Sequence, residues 1–174
     1  YPLAQAFWMA LLILAVVGGS VALIRLYHMS PRPFTLATIM LSTLIFYPSV
    51  RAIFNGQVTA LSFCFIAVAL WVICLKADVA AGVLLAFATI KPQPPILLVP
   101  IIIAWAWRQG RRRIVSSAIG TLGALAIVGT LLVPSWILDF LKALGQYAQY
   151  EPVGPPIQIL GELIFPGDLS FVFT

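Results

Sequence analysis

The sequence predicts an all-α polytopic integral membrane protein, with about six transmembrane or re-entrant helices and one amphipathic helix on the outer face. Three observations predict it. Of 174 residues, 62% are hydrophobic and 9% charged, with mean hydropathy +1.08; an ordinary soluble domain carries about 25% charged residues. A soluble fold of this length could not bury so much apolar surface. The apolar residues form six runs, and the basic residues collect in alternate joints between them. The formal net charge of +5 raises nucleic acid as a partner, but these charges mark loop ends between apolar runs, so no nucleic-acid partner is expected.

The runs are A at 3–24, B at 34–50, C at 57–75, D at 79–90, E at 93–107 and F at 114–133. A spanning helix needs about 20 residues. A, C and F reach that length, B nearly does, and D and E are short. Residues 1–133 read as a transmembrane helical core, and 134–174 as an interfacial helix followed by a truncated loop.

Charge sets the orientation. Arg25 and Arg32 join A to B, Lys76 joins C to D, and Arg108, Arg111, Arg112 and Arg113 join E to F. If D and E run out and back, seven of the ten basic residues face the cytoplasm, and Arg51, Lys91 and Lys142 face outward with Asp139 and Glu151. A single kinked helix over 79–107 would put one of the basic joints on the wrong side. The location implied is the plasma (inner) membrane, crossed several times. Segment A then starts outside, with no signal peptide before it and Tyr1 in place of Met. The expectation is a fragment lacking at least one earlier membrane helix and the outer loop after it.

Between D and E stands "KPQPP", residues 91–95. Proline removes a backbone donor and restricts the residue before it, so this is the outward tip of a helical hairpin. Such a break is tolerated at membrane depth only where protein or a water-filled cavity satisfies the backbone. At about 1.5 Å per residue, D rises only about 18 Å from its cytoplasmic end. Lys91 is therefore either a cation in an outward-facing cavity or a loop lysine snorkelling to the surface.

The joint between B and C, "YPSVRAIFNGQVTALSF" at 47–63, carries the other outer polar residues. Asn55-Gly56 favours a turn, because both residues tolerate positive φ. Gln57 then lies near the first turn of helix C, where free N–H groups and the helix dipole favour anions. Arg51, Asn55, Gln57, Lys91 and Gln93 together would make a cationic patch suited to a phosphate; the simpler reading of the same residues is an ordinary polar turn with an interfacial arginine.

In "PSWILDFLKALGQYAQY", 134–150, Ile137, Phe140, Leu141, Leu144 and Ala148 share one helical face and Asp139, Lys142, Gln146 and Gln149 the other. Ser135 is placed to cap the helix, with Asp139 in its first turns. Trp136, Tyr147 and Tyr150 suit the headgroup region, so the helix is expected to lie flat on the outer leaflet. It would either gate lipid access to a site or pack beside F.

Several chemistries drop out. His28 has no companion ligands, so no metal site is expected. Cys64 and Cys74 sit on one helix about 15 Å apart along its axis, too far for a disulfide, and read as packing residues. No phosphate-binding P-loop, dinucleotide fingerprint or nucleophile elbow occurs. "RQGRRR" reads as a topogenic loop, with anionic-lipid binding as the alternative. "GVLLAFA" on D suits a small-residue packing face. No internal repeat supports an inverted-repeat transporter.

The order of these features resembles glycosyltransferase family 87, polyprenyl-phosphate-dependent mannosyltransferases and relatives with the GT-C membrane fold. The likeness is carried by "NGQVTALSF" at 55–63, "AGVLLAFATIKPQPPILLVP" at 81–100, the basic "RRR" joint and "YPLAQAFWMALLIL" at 1–14, and covers most of 1–150. The resemblance implies transfer of a sugar, mannose as in the mannosyltransferases of the family, from a polyprenyl-phosphate donor to a lipid-linked or glycan acceptor on the outer side of the membrane, with inversion the usual outcome and no metal or other cofactor. A carboxylate takes the proton of the attacking hydroxyl, and cations stabilise the leaving polyprenyl phosphate. Lys91 is the first candidate for that second role and Arg51 the next, with Gln57 as a hydrogen-bond partner. The family's base is expected in a first outer loop, ahead of Tyr1. Asp139, Glu151, Glu162 and Asp168 do not match that position, so no base is named. The 174-residue chain is expected to be the central part of a transferase and inactive alone; sugar transfer by it would refute this. Two other classes stay open on the residues: a transporter or channel segment with a broken-helix polar site, and a non-catalytic membrane scaffold. Membrane lipids are partners in all three.

Overall fold

The computed structural model of the protein describes residues 2–91 and 95–150, with 144–150 as backbone only. The described residues form eight helices: α1 (Pro2–Leu26), α2 (Pro33–Ile45), α3 (Tyr47–Phe54), α4 (Thr59–Cys74), α5 (Asp78–Ala88), α6 (Leu98–Arg108), α7 (Arg112–Leu132) and α8 (Trp136–Tyr150). No strand occurs among them. The chain divides into two compact units, Tyr1–Ala126 and Ile127–Thr174.

Two helices, α1 and α7, are long and apolar enough to cross a membrane, and α2 with α3 make a third candidate if that bent pair is one span. Helices α4, α5 and α6 are apolar but shorter. This trims the expectation of C as a full-length span. Segment B also departs from its expected course: it breaks at Phe46, and the two halves are bent by 59°. Pro48 is the cause. Continuing α2 would set its ring against the carbonyl four residues back, at Leu44, and it has no N–H to offer. Phe46 instead takes φ −54° and ψ 127°, and Pro48 falls in the first turn of α3.

Four helices end in the same way. At the ends of α1, α3, α4 and α6, His28, Gly56, Lys76 and Gly110 have φ of 52°, 63°, 59° and 70°. Each is followed by an N–H that reaches back five residues, Met29 to Ile24, Gln57 to Ala52, Ala77 to Val72 and Arg111 to Ala106, at 2.8 to 3.0 Å. This is the Schellman closure, which satisfies carbonyls that a helix end leaves unpaired. A side chain in the left-handed region costs about 1–2 kcal/mol, against about 0.5–1 kcal/mol of extra chain entropy lost by glycine. Lys76→Gly is therefore expected to raise stability by about 0.5–1 kcal/mol, seen as a higher unfolding temperature of the detergent-solubilised protein. An unchanged temperature would mean that Lys76 makes compensating contacts.

In the first unit, one core joins α1, α3 and α4 through Leu12, Ala15, Val16, Ile53 and Ala60. A second joins α4 to α7 through residues that include Ile73, Leu85, Ile102 and Ile114. The small-residue face expected on D is present: Ala81, Gly82, Leu85, Ala86 and Ala88 are buried. Gly82 lies against α7, where a Cβ would meet Ser117, the Ile114 carbonyl and the Ala118 nitrogen. Cys64 packs near Gly18, whereas Cys74 is exposed rather than packed, because it lies in the last turn of α4.

The outer surface is apolar. Ile119, Leu122 and Leu125 on α7, and Leu3, Phe7 and Leu14 on α1, stand exposed, as suits helices that face lipid. In the second unit, Trp136 Nε1 donates to Thr130 Oγ1 at 3.1 Å, turning the start of α8 toward the end of α7. The Ser135 carbonyl accepts the Asp139 N–H at 3.0 Å, as at a helix N-cap, but its hydroxyl goes to the Asp139 carboxylate at 2.6 Å rather than to a backbone donor. Ile137, Phe140 and Leu141 of α8 are exposed; the side chains of Leu144, Gln146, Tyr147, Ala148, Gln149 and Tyr150 lie outside the described residues, as does everything from Glu151 on, with Glu162 and Asp168.

Candidate functional site

The start of α4 is built by the turn before it. The Schellman closure at Gly56 ends α3 and redirects the chain, and Trp8 of α1 donates its indole N–H to the Gly56 carbonyl at 3.0 Å. The expected Asn55-Gly56 turn is thus present, with only Gly56 at positive φ; Asn55 has φ −81°. Val58 is the N-cap residue of α4 and offers no side-chain cap. The first-turn N–H groups of α4, which have no intrahelical acceptor, therefore point out of the helix end without a capping side chain.

Lys91 arrives at this point from α5. Packing of α4 on α5, including Phe65 against Phe87 with ring centroids 5.7 Å apart, brings the end of α5 beside the start of α4. Past α5 the Thr89 hydroxyl bonds back to the Ala86 carbonyl at 2.7 Å, turning the chain. The half-buried Lys91 then donates Nζ to Thr59 Oγ1 at 2.7 Å. An ammonium carries three N–H donors, so this bond leaves two for another acceptor. Among the described residues no carboxylate forms an ion pair with it. A cation, a hydroxyl and an uncapped helix start thus converge within one small region, an arrangement that favours an anion.

Of the residues expected in the patch, Lys91 reaches Thr59 in the first turn of α4, two residues after Gln57, and Gln57 is half-buried. Asn55 is exposed, and Arg51 is exposed on α3, off the buried face made by Ala52 and Ile53. Among the described residues Arg51 makes no side-chain bond to Lys91. Gln93 lies outside the described residues. Thr59 was missed: a threonine in an apolar run is unremarkable by composition, and only its place two residues after Gln57, at a helix start, could have singled it out.

The far end of α5 is organised differently. Arg111 forms an ion pair with Asp78 at the start of α5, donating Nε to the same carboxylate oxygen at 3.1 Å, and also donates to the Ile73 carbonyl at 2.9 Å. Its guanidinium lies 5.6 Å from the centre of the Trp105 ring. The joint after α6 therefore sits beside the joint before α5, so α5 and α6 fold back as a hairpin rather than forming one kinked helix. Arg108, Arg112 and Arg113 are exposed around that clasp.

Contacts between helix ends thus alternate. Trp8 meets Gly56 and Lys91 meets Thr59 at one end of the helices, while Arg111 meets Asp78 and Ile73 at the other. Among the described residues no group of three histidine, cysteine or acidic side chains is placed to hold a metal ion.

Comparison with known proteins agrees with the motif reading. Searches of curated proteins and of solved structures find no match. A sequence profile described as glycosyltransferase family 87 matches residues 1–160, a span that includes the α3–α4 turn, the α5–α6 hairpin with Lys91, and the basic joint before α7. The chain belongs to glycosyltransferase family 87, a family of membrane glycosyltransferases.

Proposed function

We propose that this transferase takes a sugar, mannose in the reading favoured here, from a polyprenyl-phosphate donor and passes it to a lipid-linked or glycan acceptor on the extracytoplasmic side of the membrane, within a GT-C-type fold. The observation that carries the proposal is the contact of Lys91 with Thr59 at the uncapped start of α4. The acceptor hydroxyl attacks the anomeric carbon, the bond from that carbon to the phosphate oxygen breaks, and the polyprenyl phosphate leaves with the electron pair. Negative charge grows on the phosphate as it departs, which is where fixed donors lower the barrier. Lys91 and the first-turn N–H groups of α4 are such donors. Gln57, half-buried and two residues before Thr59, is assigned to the same site, with Arg51 and Asn55, both exposed, as its outer rim and Gln93 added from its place in the hairpin tip.

These residues account for the leaving-group half of the reaction. Neither described carboxylate is assigned as the base. Asp78 is held by Arg111 at the opposite end of α5 from Lys91, and Asp139 accepts from Ser135 in the second unit. The proposed orientation places the Lys91 end outward and the Arg111 end inward, in keeping with the basic residues of the inner joints. Family membership favours this reading over a transporter segment or a scaffold.

The test is transfer from radiolabelled polyprenyl-phosphate mannose by membranes carrying the full-length enzyme, with a nucleotide-activated mannose as the comparison. Label in a lipid or glycan product from the prenyl donor alone is the expected result. Product from the nucleotide sugar alone would overturn the donor assignment.

A further inference from the structure

The end of the helices opposite Lys91 carries a second concentration of charge. Lys76, Arg108, Arg111, Arg112 and Arg113 stand there with Asp78, which Arg111 already neutralises. Lys76 and Arg111 meet at one atom: the Ile73 carbonyl accepts the Lys76 N–H at 3.1 Å and Arg111 Nη2 at 2.9 Å. Lys76, Arg108, Arg112 and Arg113 are exposed, and among the described residues none of these four forms an ion pair. The positive-inside preference explains a number of charges. It does not call for a fixed arrangement, and here the arrangement is fixed. Asp78, the Ile73 carbonyl and the Trp105 ring hold Arg111, and Arg112 lies 5.9 Å from the centre of the Trp107 ring. Gly110, at φ 70°, closes α6 so that α7 starts at Arg112, which keeps the four arginines within residues 108–113. A guanidinium has five N–H donors. Arg111 uses Nε and Nη2, and its Nη1 makes no bond among the described residues.

An apolar stripe leads to this cluster. Leu97, Ile101 and Trp105 follow one another at intervals of four residues, and Arg108 comes three residues later, so they share one face of α6. All four are exposed. Aliphatic side chains, then an indole, then a guanidinium match the order met on passing from the acyl chains of a bilayer to its headgroups. We infer that the joint between α6 and α7 binds an anionic phospholipid. Arg108, Arg112 and the free Nη1 of Arg111 take the phosphate, and one acyl chain lies along Leu97, Ile101 and Trp105. In the orientation proposed above the lipid belongs to the inner leaflet. This site is separate from the donor site and does not depend on the donor reading. Arginine suits the role because its planar fork can give two parallel bonds to one phosphate. A soluble anion would satisfy the charges but leave the stripe unused. A zwitterionic lipid would bring its own cation into a cluster that already holds four unpaired ones. A net negative headgroup relieves that repulsion.

The experiment uses phosphatidylglycerol with a photoactivatable group on one acyl chain, added to the full-length enzyme in phosphatidylcholine nanodiscs, with the labelled peptides identified by mass spectrometry. Label is expected in the segment 97–108, displaced by unlabelled phosphatidylglycerol. Phosphatidylcholine carrying the same group should label that segment about tenfold less. Arg108→Gln combined with Arg112→Gln should lower the phosphatidylglycerol label about tenfold or more. The control removes the same charge from Arg25 and Arg32, which lie at the same end of the helices. Trp8 of α1 meets Gly56 and Gly18 lies beside Cys64, so α1 and α4 run in the same direction. Arg25→Gln combined with Arg32→Gln should leave the label within about twofold, since salt screens charges more than about 10 Å away. Equal loss in the two double variants reduces the binding to a general attraction between a basic face and an acidic membrane, and overturns the inference. Equal labelling by phosphatidylcholine overturns it too. Displacement by inorganic phosphate as effective as by phosphatidylglycerol assigns the cluster to a soluble anion, with the same consequence. Should the Arg108 and Arg112 variant fail to fold, the wild-type label decides alone: label within 97–113 supports the site, and label elsewhere removes it.

Discussion

Gly82→Leu is expected to leave almost no correctly folded protein, and Gly82→Ala to destabilise it by about 2–3 kcal/mol. In an open helix the alanine change would help, because glycine costs about 1 kcal/mol relative to alanine in a helix interior. The sign of the effect is therefore the test. At Gly82 a Cβ would sit 2.8 Å from the Ala118 nitrogen, and closer still to the Ile114 carbonyl and the Ser117 hydroxyl. Two of these three obstacles are backbone of α7, which no rotamer change can move aside. Relief requires α5 to withdraw from α7, which loosens the core around Leu85, Ile102 and Ile114. Close backbone approach at small residues is how helices associate where lipid supplies no hydrophobic drive. Gly120 provides the control, since a Cβ there meets nothing within 4 Å; Gly120→Ala should be neutral or gain up to about 1 kcal/mol. Both are read from the fraction of monodisperse, detergent-solubilised protein that survives a heating series. A Gly82→Ala protein as robust as Gly120→Ala would show that α5 and α7 do not pack this closely.

The same packing explains what the sequence could reveal. Runs of apolar residues and the polar joints between them mark the helices, because composition alone sets a membrane segment apart. The Asn55-Gly56 turn is legible from local chemistry, and Lys91 stands out because a cation between apolar runs is costly without a purpose. Features set by long-range contact are not legible. The Arg111–Asp78 pair joins residues 33 apart, and Thr59 gains its role only when Lys91, 32 residues on, is folded against it. His28 and Lys76 close helices in a conformation that favours glycine, so nothing in their identity announces it. Pro48 lies within the apolar run of segment B, 34–50, yet it is what breaks the helix, at Phe46. Arg51 shows a similar limit. Proximity to Asn55 along the chain says nothing about which face of α3 it occupies, and the structure leaves it exposed.

Lys91→Met should lower kcat/KM for the prenyl-phosphate donor by about 10²–10³-fold, the usual loss when one donor to a developing anion is removed. The choice of methionine keeps much of the aliphatic stem and removes the charge, so packing changes little. Lys91→Arg keeps the charge but spreads it over a planar fork that cannot enter the same space, and should recover part of the activity. Thr59→Val separates two explanations of the Lys91–Thr59 contact. If the 2.7 Å bond matters mainly as a strut between α4 and α5, the valine variant should lose as much activity as Lys91→Met, and both should unfold at a lower temperature. If the ammonium acts on the leaving phosphate, Thr59→Val removes one neutral acceptor, worth about 0.5–1.5 kcal/mol, and should cost about tenfold at most. Lys91→Met would then lose far more activity while unfolding near the wild-type temperature. Binding of the product, a prenyl phosphate without sugar, should weaken in step with the loss of transfer, because that product carries the charge Lys91 is proposed to hold. A Lys91→Met enzyme that is stable, binds prenyl phosphate like wild type and transfers at the same rate would remove the lysine from the site and leave family membership untouched.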